Sequence, residues 1–257
     1  MLTGKIALVT GGAQGIGRCV AMKMASYGAK IAILDYNEAG AAAIAAEIQQ
    51  NGGSAMGIKC DVSRRESCET AVQAVVDRFG TIDIVANCAG INVACKMIDM
   101  TDELWDRINN IDLKGTLYIS QAAARVMRDH RYGHIVNIGS ISGKIPEDMN
   151  GAYCVAKAGV LMMTKVMALE LAEYNINVNA ICPGPVNTNI MKEVFEQRGA
   201  ISGMTPDEFR KFFLRDIPLG RMAEPEDIAE LMCFLASDKA SYITGVDYTI
   251  AGGKIFQ

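Results

Sequence analysis

Seven short runs rich in β-branched and other apolar residues recur along this chain, at 5–10, 30–35, 54–60, 82–87, 134–139, 177–182 and 246–250. Between the early runs lie alanine-rich stretches with a helical apolar repeat, at 17–27, 38–50 and 63–79. Strands that are apolar on both faces, separated by helix-length segments, are the pattern of a parallel sheet covered by helices on both sides. The expectation is an α/β, doubly wound fold. No linker rich in Pro, Gly or Ser divides the chain, and no repeat or low-complexity tract interrupts it, so residues 1–257 read as one domain.

The alternation breaks at about 183–220. Pro183-Gly184-Pro185 opens this stretch, and two short apolar-periodic pieces follow, around 190–195 and 206–214. An excursion of this length between a strand and the next long helix is uncommon unless functional. It follows the carboxyl end of a strand, where ligands bind in open α/β sheets. A lid over a substrate site is therefore expected, with an inert surface insertion as the alternative.

Half of the 257 residues are hydrophobic and 21% are charged, enough apolar material for a sizeable core. The net charge of −4 has no long run of one sign, which argues against nucleic acid or an anionic membrane as the main partner. No apolar run approaches the ~18 residues of a membrane span, and Ile6-Ala7-Leu8-Val9 is only strand length. Eight cysteines are scattered without a Cys-x-x-Cys, which reads as buried thiols in a reducing cytoplasm. His130 and His134 lack cysteine or acidic co-ligands, so no metal site is expected.

Candidate chemistry begins at Thr10-Gly11-Gly12-Ala13-Gln14-Gly15-Ile16-Gly17, a glycine-rich turn between the first strand and a helix. That context fits a dinucleotide site: Gly11 for the tight turn, Gly15 for close backbone approach to a pyrophosphate, and Gly17 for helix packing. The N–H groups of Gln14, Ile16 and their neighbours at the helix start would meet the phosphates. Asp35 ends the second strand, eighteen residues after Gly17. Its carboxylate would accept from the ribose hydroxyls of NAD and repel the 2′-phosphate of NADP. Gln14 offers that phosphate no cation. Both point to NAD, although Asp35 alone could be a turn residue. Asp61 and Val62 could meet the adenine edge. Asn87, Ala89 and Gly90 end the fourth strand beside the cofactor, with a turn role for Asn87 as the alternative.

Ser140 follows the fifth apolar run, and Tyr153 and Lys157 lie one helical turn apart thirteen residues further on. A Tyr-x-x-x-Lys pair alone is an ordinary feature of exposed helices. Here the lysine cation, with the positive nicotinamide of NAD⁺, could lower the tyrosine from its usual pKa near 10, so that it takes a proton. Ser140 would hydrogen-bond the substrate oxygen.

In its combination of motifs the chain resembles the short-chain dehydrogenase/reductase family over essentially its whole length. The matching segments are Thr10–Gly17, Asp61-Val62, Asn87–Gly90, Asn137–Ser140, Tyr153-x-x-x-Lys157 and Pro183-Gly184-Pro185-Val186-Asn187-Thr188. The resemblance implies a Rossmann-type sheet of seven strands and a reacting pair of Ser140 and Tyr153. It also implies that Lys157 holds the nicotinamide ribose, that Val186 and Thr188 bind the carboxamide, and that Pro183 and Gly184 belong to the cofactor site. Homodimers or homotetramers through the helices around 112–128 and 152–173 are implied as well. One position departs: most members carry asparagine where this chain has Asp112. Its backbone carbonyl could still hold a relay water, or its carboxylate could pair with Lys157 and weaken the effect on Tyr153.

The leading expectation is an NAD-dependent dehydrogenase of a small-molecule polyol, sugar or vicinal diol. Asn92, Ser142, Lys144, Glu147 and Asn150 could serve substrate hydroxyls, or could be solvated loop residues. The segment Ser142-Gly143-Lys144 and the C-terminal stretch 252–257 are similar to polyol and diol dehydrogenases of the family. A 3-oxoacyl or other carbonyl reductase is the alternative, suggested by the apolar Met191, Val194, Phe195, Phe212 and Phe213. A non-catalytic NAD(H)-sensing protein is the alternative of another class.

Overall fold

Residues 6–9 of the first strand show how the sequence makes two cores. Ala7 and Val9 point into one apolar cluster and Ile6 and Leu8 into the other, and all four are buried. A strand that is apolar on both faces cannot lie at a water-facing surface, so helices must cover each side. The computed structural model describes residues 1–256; Gln257, the last residue of the expected domain, lies outside them.

The strands are β1 (Ile6–Thr10), β2 (Lys30–Asp35), β3 (Ser54–Lys59), β4 (Ile84–Asn87), β5 (Gly133–Ile138), β6 (Ile176–Pro183) and β7 (Asp247–Ile250). They form one seven-stranded sheet in the order β3-β2-β1-β4-β5-β6-β7, with every pairing parallel. Reversal of the strand order between β1 and β4 opens a crevice at their carboxyl ends. The helices are α1 (Gly15–Ser26), α2 (Glu38–Gln50), α3 (Arg65–Phe79), α4 (Asp102–Asn109), α5 (Gly115–His130), α6 (Gly151–Leu171), α7 (Asn189–Ser202), α8 (Pro206–Leu214) and α9 (Pro225–Leu235). Val20 and Met24 of α1, Ile44 and Ile48 of α2, and Ile228 and Met232 of α9 fill the core on one face. Val72 and Val75 of α3, Ile119 and Ala123 of α5, and Met167 of α6 fill the other.

The expected doubly wound α/β architecture is the observed one, with strand ends displaced by two residues at most. Helices α7 and α8 are the two pieces expected in the 183–220 excursion. Thr205 caps α8 reciprocally with Glu208, and Pro206 sits at its first turn. Phe195, Phe209 and Phe213 join α7 to α8, with ring centroids of Phe195 and Phe213 5.7 Å apart.

Helices α4 and α5 are continuous through a five-residue π turn, Asn110–Lys114. Such turns insert a residue into the helical ladder and recur at functional sites. One expectation fails at α6. With the turn that follows it, the segment Gly151–Tyr174 is long and apolar enough to cross a membrane by length and composition. It is the core helix against β6, buried on one side, while Val155, Met162, Val166 and Leu169 stay exposed along the other.

Between the sheet and α5 and α6 runs a polar chain. Asn87 Nδ2 donates to Ser120 Oγ (2.9 Å) and Asn137 Oδ1 (2.8 Å), and Asn137 Nδ2 donates to Thr164 Oγ1 (2.9 Å). All four residues are buried, so each depends on the others for hydrogen bonding. Asn137→Ala should lower the unfolding free energy by about 1–3 kcal/mol, because it strands the Asn87 and Thr164 groups without water. A urea midpoint that falls at unchanged slope would show this; an unmoved midpoint would remove the network from the structure's supports.

Candidate active site

The carboxyl ends of β1, β2, β3 and β4 border a cleft of about 540 Å³. Its floor is the turn from β1 into α1. Gly11 has φ +62°, and a Cβ there would stand 2.8 Å from Ala89 Cα. A Cβ on Gly17 would overlap the Gly11 carbonyl, so glycine at both positions lets the loop fold down against β4 and the helix. No side chain caps α1. Its first amides, at the positive end of the helix, are left for an anion. Asp35 Oδ2 accepts from Ala13 N (3.0 Å) and Oδ1 from Asn37 N (2.9 Å), which ties the glycine loop to the end of β2. These residues fit a dinucleotide: a cradle shaped by missing Cβ atoms, uncapped amides, and a carboxylate on the wall.

Gln14, Ile16, Asp61, Val62, Ala89 and Gly90 also line the cleft, as the sequence implies. Asn87 does not. Its side chain turns into the polar chain between sheet and helices, so its part is to hold the end of β4. Tyr36 and Arg107 line the cleft without having been anticipated, and Cys88 lines it as part of the Asn87–Gly90 segment. Thr10, another residue missed as a contributor, accepts from Cys88 N (3.0 Å) and Ala89 N (3.1 Å) through Oγ1, fixing the backbone that faces the cofactor.

Ile16, Cys88, Gly90, Ile91, Thr188 and Ile190 are shared with a second, smaller cavity of about 130 Å³. Ser140, Tyr153 and Lys157 meet on its wall, with Pro183, Gly184 and Val186 opposite. Ser140 ends the β5 segment, and its Oγ accepts from Ser142 N (3.1 Å). Tyr153 and Lys157 project from the first turns of α6, with Nζ 5.4 Å from the ring centroid. Nζ donates to the Ile138 carbonyl (3.0 Å) and stands 3.1 Å from Asp112 Oδ1. That approach is an ion pair without hydrogen-bond alignment. Asp112 Oδ2 accepts from Ile91 N (3.1 Å), and a Cβ on Gly90 would stand 2.7 Å from Oδ1.

Asn92, Ser142, Glu147 and Asn150 line the cavity as anticipated. Lys144 does not. It pairs with Asp247 (2.6 Å) and donates to Thr249 Oγ1 (2.8 Å), pinning the segment after Ser140 to β7. Met191, Val194, Arg198 and Phe213 close the cavity from the lid side. Arg198 was not anticipated, being a polar residue beyond the short apolar piece expected at 190–195. Helix α7 runs on to Ser202, and Arg198 faces inward, 8% exposed.

Residues 11–254 match a family model described as enoyl-(acyl carrier protein) reductase. The chain is 39% identical to a 3-oxoacyl-acyl-carrier-protein reductase of Haemophilus influenzae, over 98% of both chains. It is 38% identical to a sorbitol dehydrogenase of Cereibacter sphaeroides, again over 98% of both. The crystal structure of levodione reductase superposes with a TM-score of 0.95 at 30% identity, covering 99% of this chain and 98% of that one. The chain belongs to the short-chain dehydrogenase/reductase family. It is an oxidoreductase acting on an alcohol or its ketone, as members of this family are, and it has the family's seven-stranded Rossmann-type fold.

Within that family frame, the protein groups around Tyr153 pull its phenol in both directions, and Asp112 pairs with Lys157, one of the two arrangements expected at that position. Burial is the largest influence and pushes the phenol above its ordinary value. Lys157 opposes this, Asp112 adds to it, and a hydrogen bond with Ser140 opposes it. Burial works against the Lys157 ammonium, but the charge of Asp112 and the neighbouring Tyr153 outweigh it, so the lysine is raised and stays cationic. Burial likewise raises Asp112, against the pull of Lys157 and the Ile91 N–H. The Asp112 carbonyl accepts from Thr116 Oγ1 (2.8 Å).

Asp112→Asn removes a negative charge that favours the protonated phenol. The acid limb of alcohol oxidation should then move to lower pH, with maximal turnover changed by less than about tenfold (~1.4 kcal/mol). Steady-state pH–rate profiles of both forms test this; a limb that stays put or moves upward contradicts it.

Proposed function

We propose that the protein is an NAD-dependent dehydrogenase of a small polyol, sugar or vicinal diol, with Tyr153 as acid/base, Lys157 as its activator and Ser140 as partner of the substrate oxygen. The observation that carries this reading is the reaction cavity. Beside Ser140 and Tyr153 it is small, in the size range that takes up a benzene-sized molecule, and its wall bears Asn92, Ser142, Glu147 and Asn150. Convergent donors and acceptors suit a hydroxyl-rich molecule. Of the lid aromatics that would have suited an acyl chain, Phe195 is packed into the contact between α7 and α8 and Phe212 faces solvent, while Phe213 lines the cavity.

In alcohol oxidation, Tyr153 takes the hydroxyl proton while Ser140 holds the same oxygen. Lys157 supports the developing phenolate and, as the family resemblance implies, holds the nicotinamide ribose. The nicotinamide, when bound, supplies hydride acceptance. Gly11, Gly15 and Gly17 bring the backbone to the pyrophosphate. Asp35 would select NAD, because a carboxylate at the end of β2 accepts from ribose hydroxyls and repels a 2′-phosphate.

Cofactor choice is tested first. Efficiency with NAD⁺ should exceed that with NADP⁺ by at least about tenfold (~1.4 kcal/mol), and Asp35→Ser should narrow the gap. Equal or reversed preference in the native enzyme rules out the NAD reading.

Substrate class is tested by comparing polyols of four to six carbons with their deoxy analogues and a medium-chain 3-hydroxyacyl thioester. A site built to hydrogen-bond substrate hydroxyls strongly rejects analogues lacking them, while an apolar site separates chain lengths by only ~1–3 kcal/mol per methylene. Loss of efficiency on removing one hydroxyl is expected. Preference for the thioester, rising with acyl length, would establish the reductase alternative instead.

A further inference from the structure

Arg198 puts a buried guanidinium on the wall of the cavity that also holds Ser140 and Tyr153. A guanidinium out of water needs its five N–H donors matched. Among the described residues it makes one hydrogen bond, from Nη2 to the Asp148 carbonyl. The Glu147 carboxylate lies 3.9 Å from Nη1, beyond hydrogen-bond distance, and itself accepts from Asn150 Nδ2 (3.1 Å). Nε and Nη1 have no hydrogen-bond partner among the described residues and are not sealed from solvent, so they are open to the cavity. The neutral groups Asn92, Ser142 and Asn150 on the same wall are available for hydroxyls.

A second cation stands near this end of the cavity. Lys254 Nζ lies 3.7 Å from the centroid of the Phe213 ring, whose other contacts close the lid. Burial lowers its ammonium from the ordinary lysine value; Glu147 and Asp216 counter this, and Arg198 adds to it. Asp216 is exposed to solvent, which leaves the half-buried Glu147 as the acid nearer the cavity, lining the same wall as Arg198.

Building on the polyol reading above, we propose that the substrate is a polyhydroxy acid whose carboxylate, at the end remote from the reacting carbon, is bound by Arg198. The planar donor fork of arginine matches the two oxygens of a carboxylate, an arrangement that lysine cannot reproduce. Lys254 contributes field without needing contact. Arg198 is thus a specificity residue on the lid, and lid closure and recognition of the acid group become one event.

The test uses the native enzyme with NAD⁺ on pairs of four-to-six-carbon polyols and the aldonic acids of the same length and configuration. The acid should be preferred by at least tenfold, mainly through KM, and that preference should shrink with added salt. Arg198→Met and Arg198→Lys should both reduce the acid-to-polyol ratio by at least tenfold, with lysine failing to restore it. NADH binding by fluorescence and the unfolding midpoint check that each variant is folded. Calorimetric binding of the aldonate to the native enzyme with NADH supplies a readout independent of any variant, and absence of binding there overturns the proposal. Native preference for the neutral polyol also overturns it, while leaving the polyol reading intact. Turnover of the acyl thioester with neither polyol nor acid overturns both.

Discussion

A buried ammonium must be surrounded by oxygen atoms or lose its proton, and Lys157 imposes that requirement on four parts of the fold. Its position is set by α6, its hydrogen bond by the carbonyl at the end of β5, its countercharge by the π turn, and its clearance by a glycine after β4. None of these groups is close to the others in sequence. They meet because the strand order reverses between β1 and β4 and brings the carboxyl ends of β4, β5 and β6 together beneath the lid. The polar chain from Ser120 through Asn87 and Asn137 to Thr164 fastens those strands to the two helices that carry Asp112 and Tyr153. Sheet geometry and side-chain electrostatics are thus parts of one arrangement.

The same charges bias the direction of proton flow. Burial and Asp112 both favour the protonated phenol of Tyr153, the form that donates to a ketone oxygen, while Lys157 favours the phenolate that receives a proton from an alcohol. In the acid/base role proposed for it, Tyr153 lies between these pulls. Replacement of the family's usual asparagine by a carboxylate shifts the balance without touching the reacting atoms.

The fold was legible because its strands carry their burial in composition: Ile31 to Leu34, or Ile84 to Ala86, have no face that tolerates water. The glycine turn was legible because each glycine answers a local backbone need. Long polar side chains were harder to place, since their direction is decided by partners far along the chain. Lys144 sits beside the reaction site in sequence, yet Asp247 and Thr249, more than a hundred residues away, draw it to β7. Asn87 belongs to a cofactor motif, but Asn137 and Ser120 claim its amide. Arg198 lies beyond the short apolar piece expected at 190–195 and faces inward only because α7 runs on to Ser202. Tyr153 shows a further limit: Asp112 was expected as a countercharge to Lys157, but spacing does not reveal the burial that is the largest influence on the phenol.

The π turn gives the site one more dependence. An α-helix advances about 100° per residue, so a single additional residue swings everything before it by that angle relative to everything after. Here the swing lets Leu104 and Ile108 pack with Ala152 and Ala156 of α6, while Ile119 and Ala123 face the sheet and α3. A regular helix of the same composition could satisfy one of those surfaces and would present the other out of phase. Removing one residue of the turn other than Asp112 would allow uninterrupted α-helical bonding and turn the acidic side chain relative to one of the two helices that position it. The chemistry of this enzyme therefore rests on a count of residues within a helix as well as on their kinds.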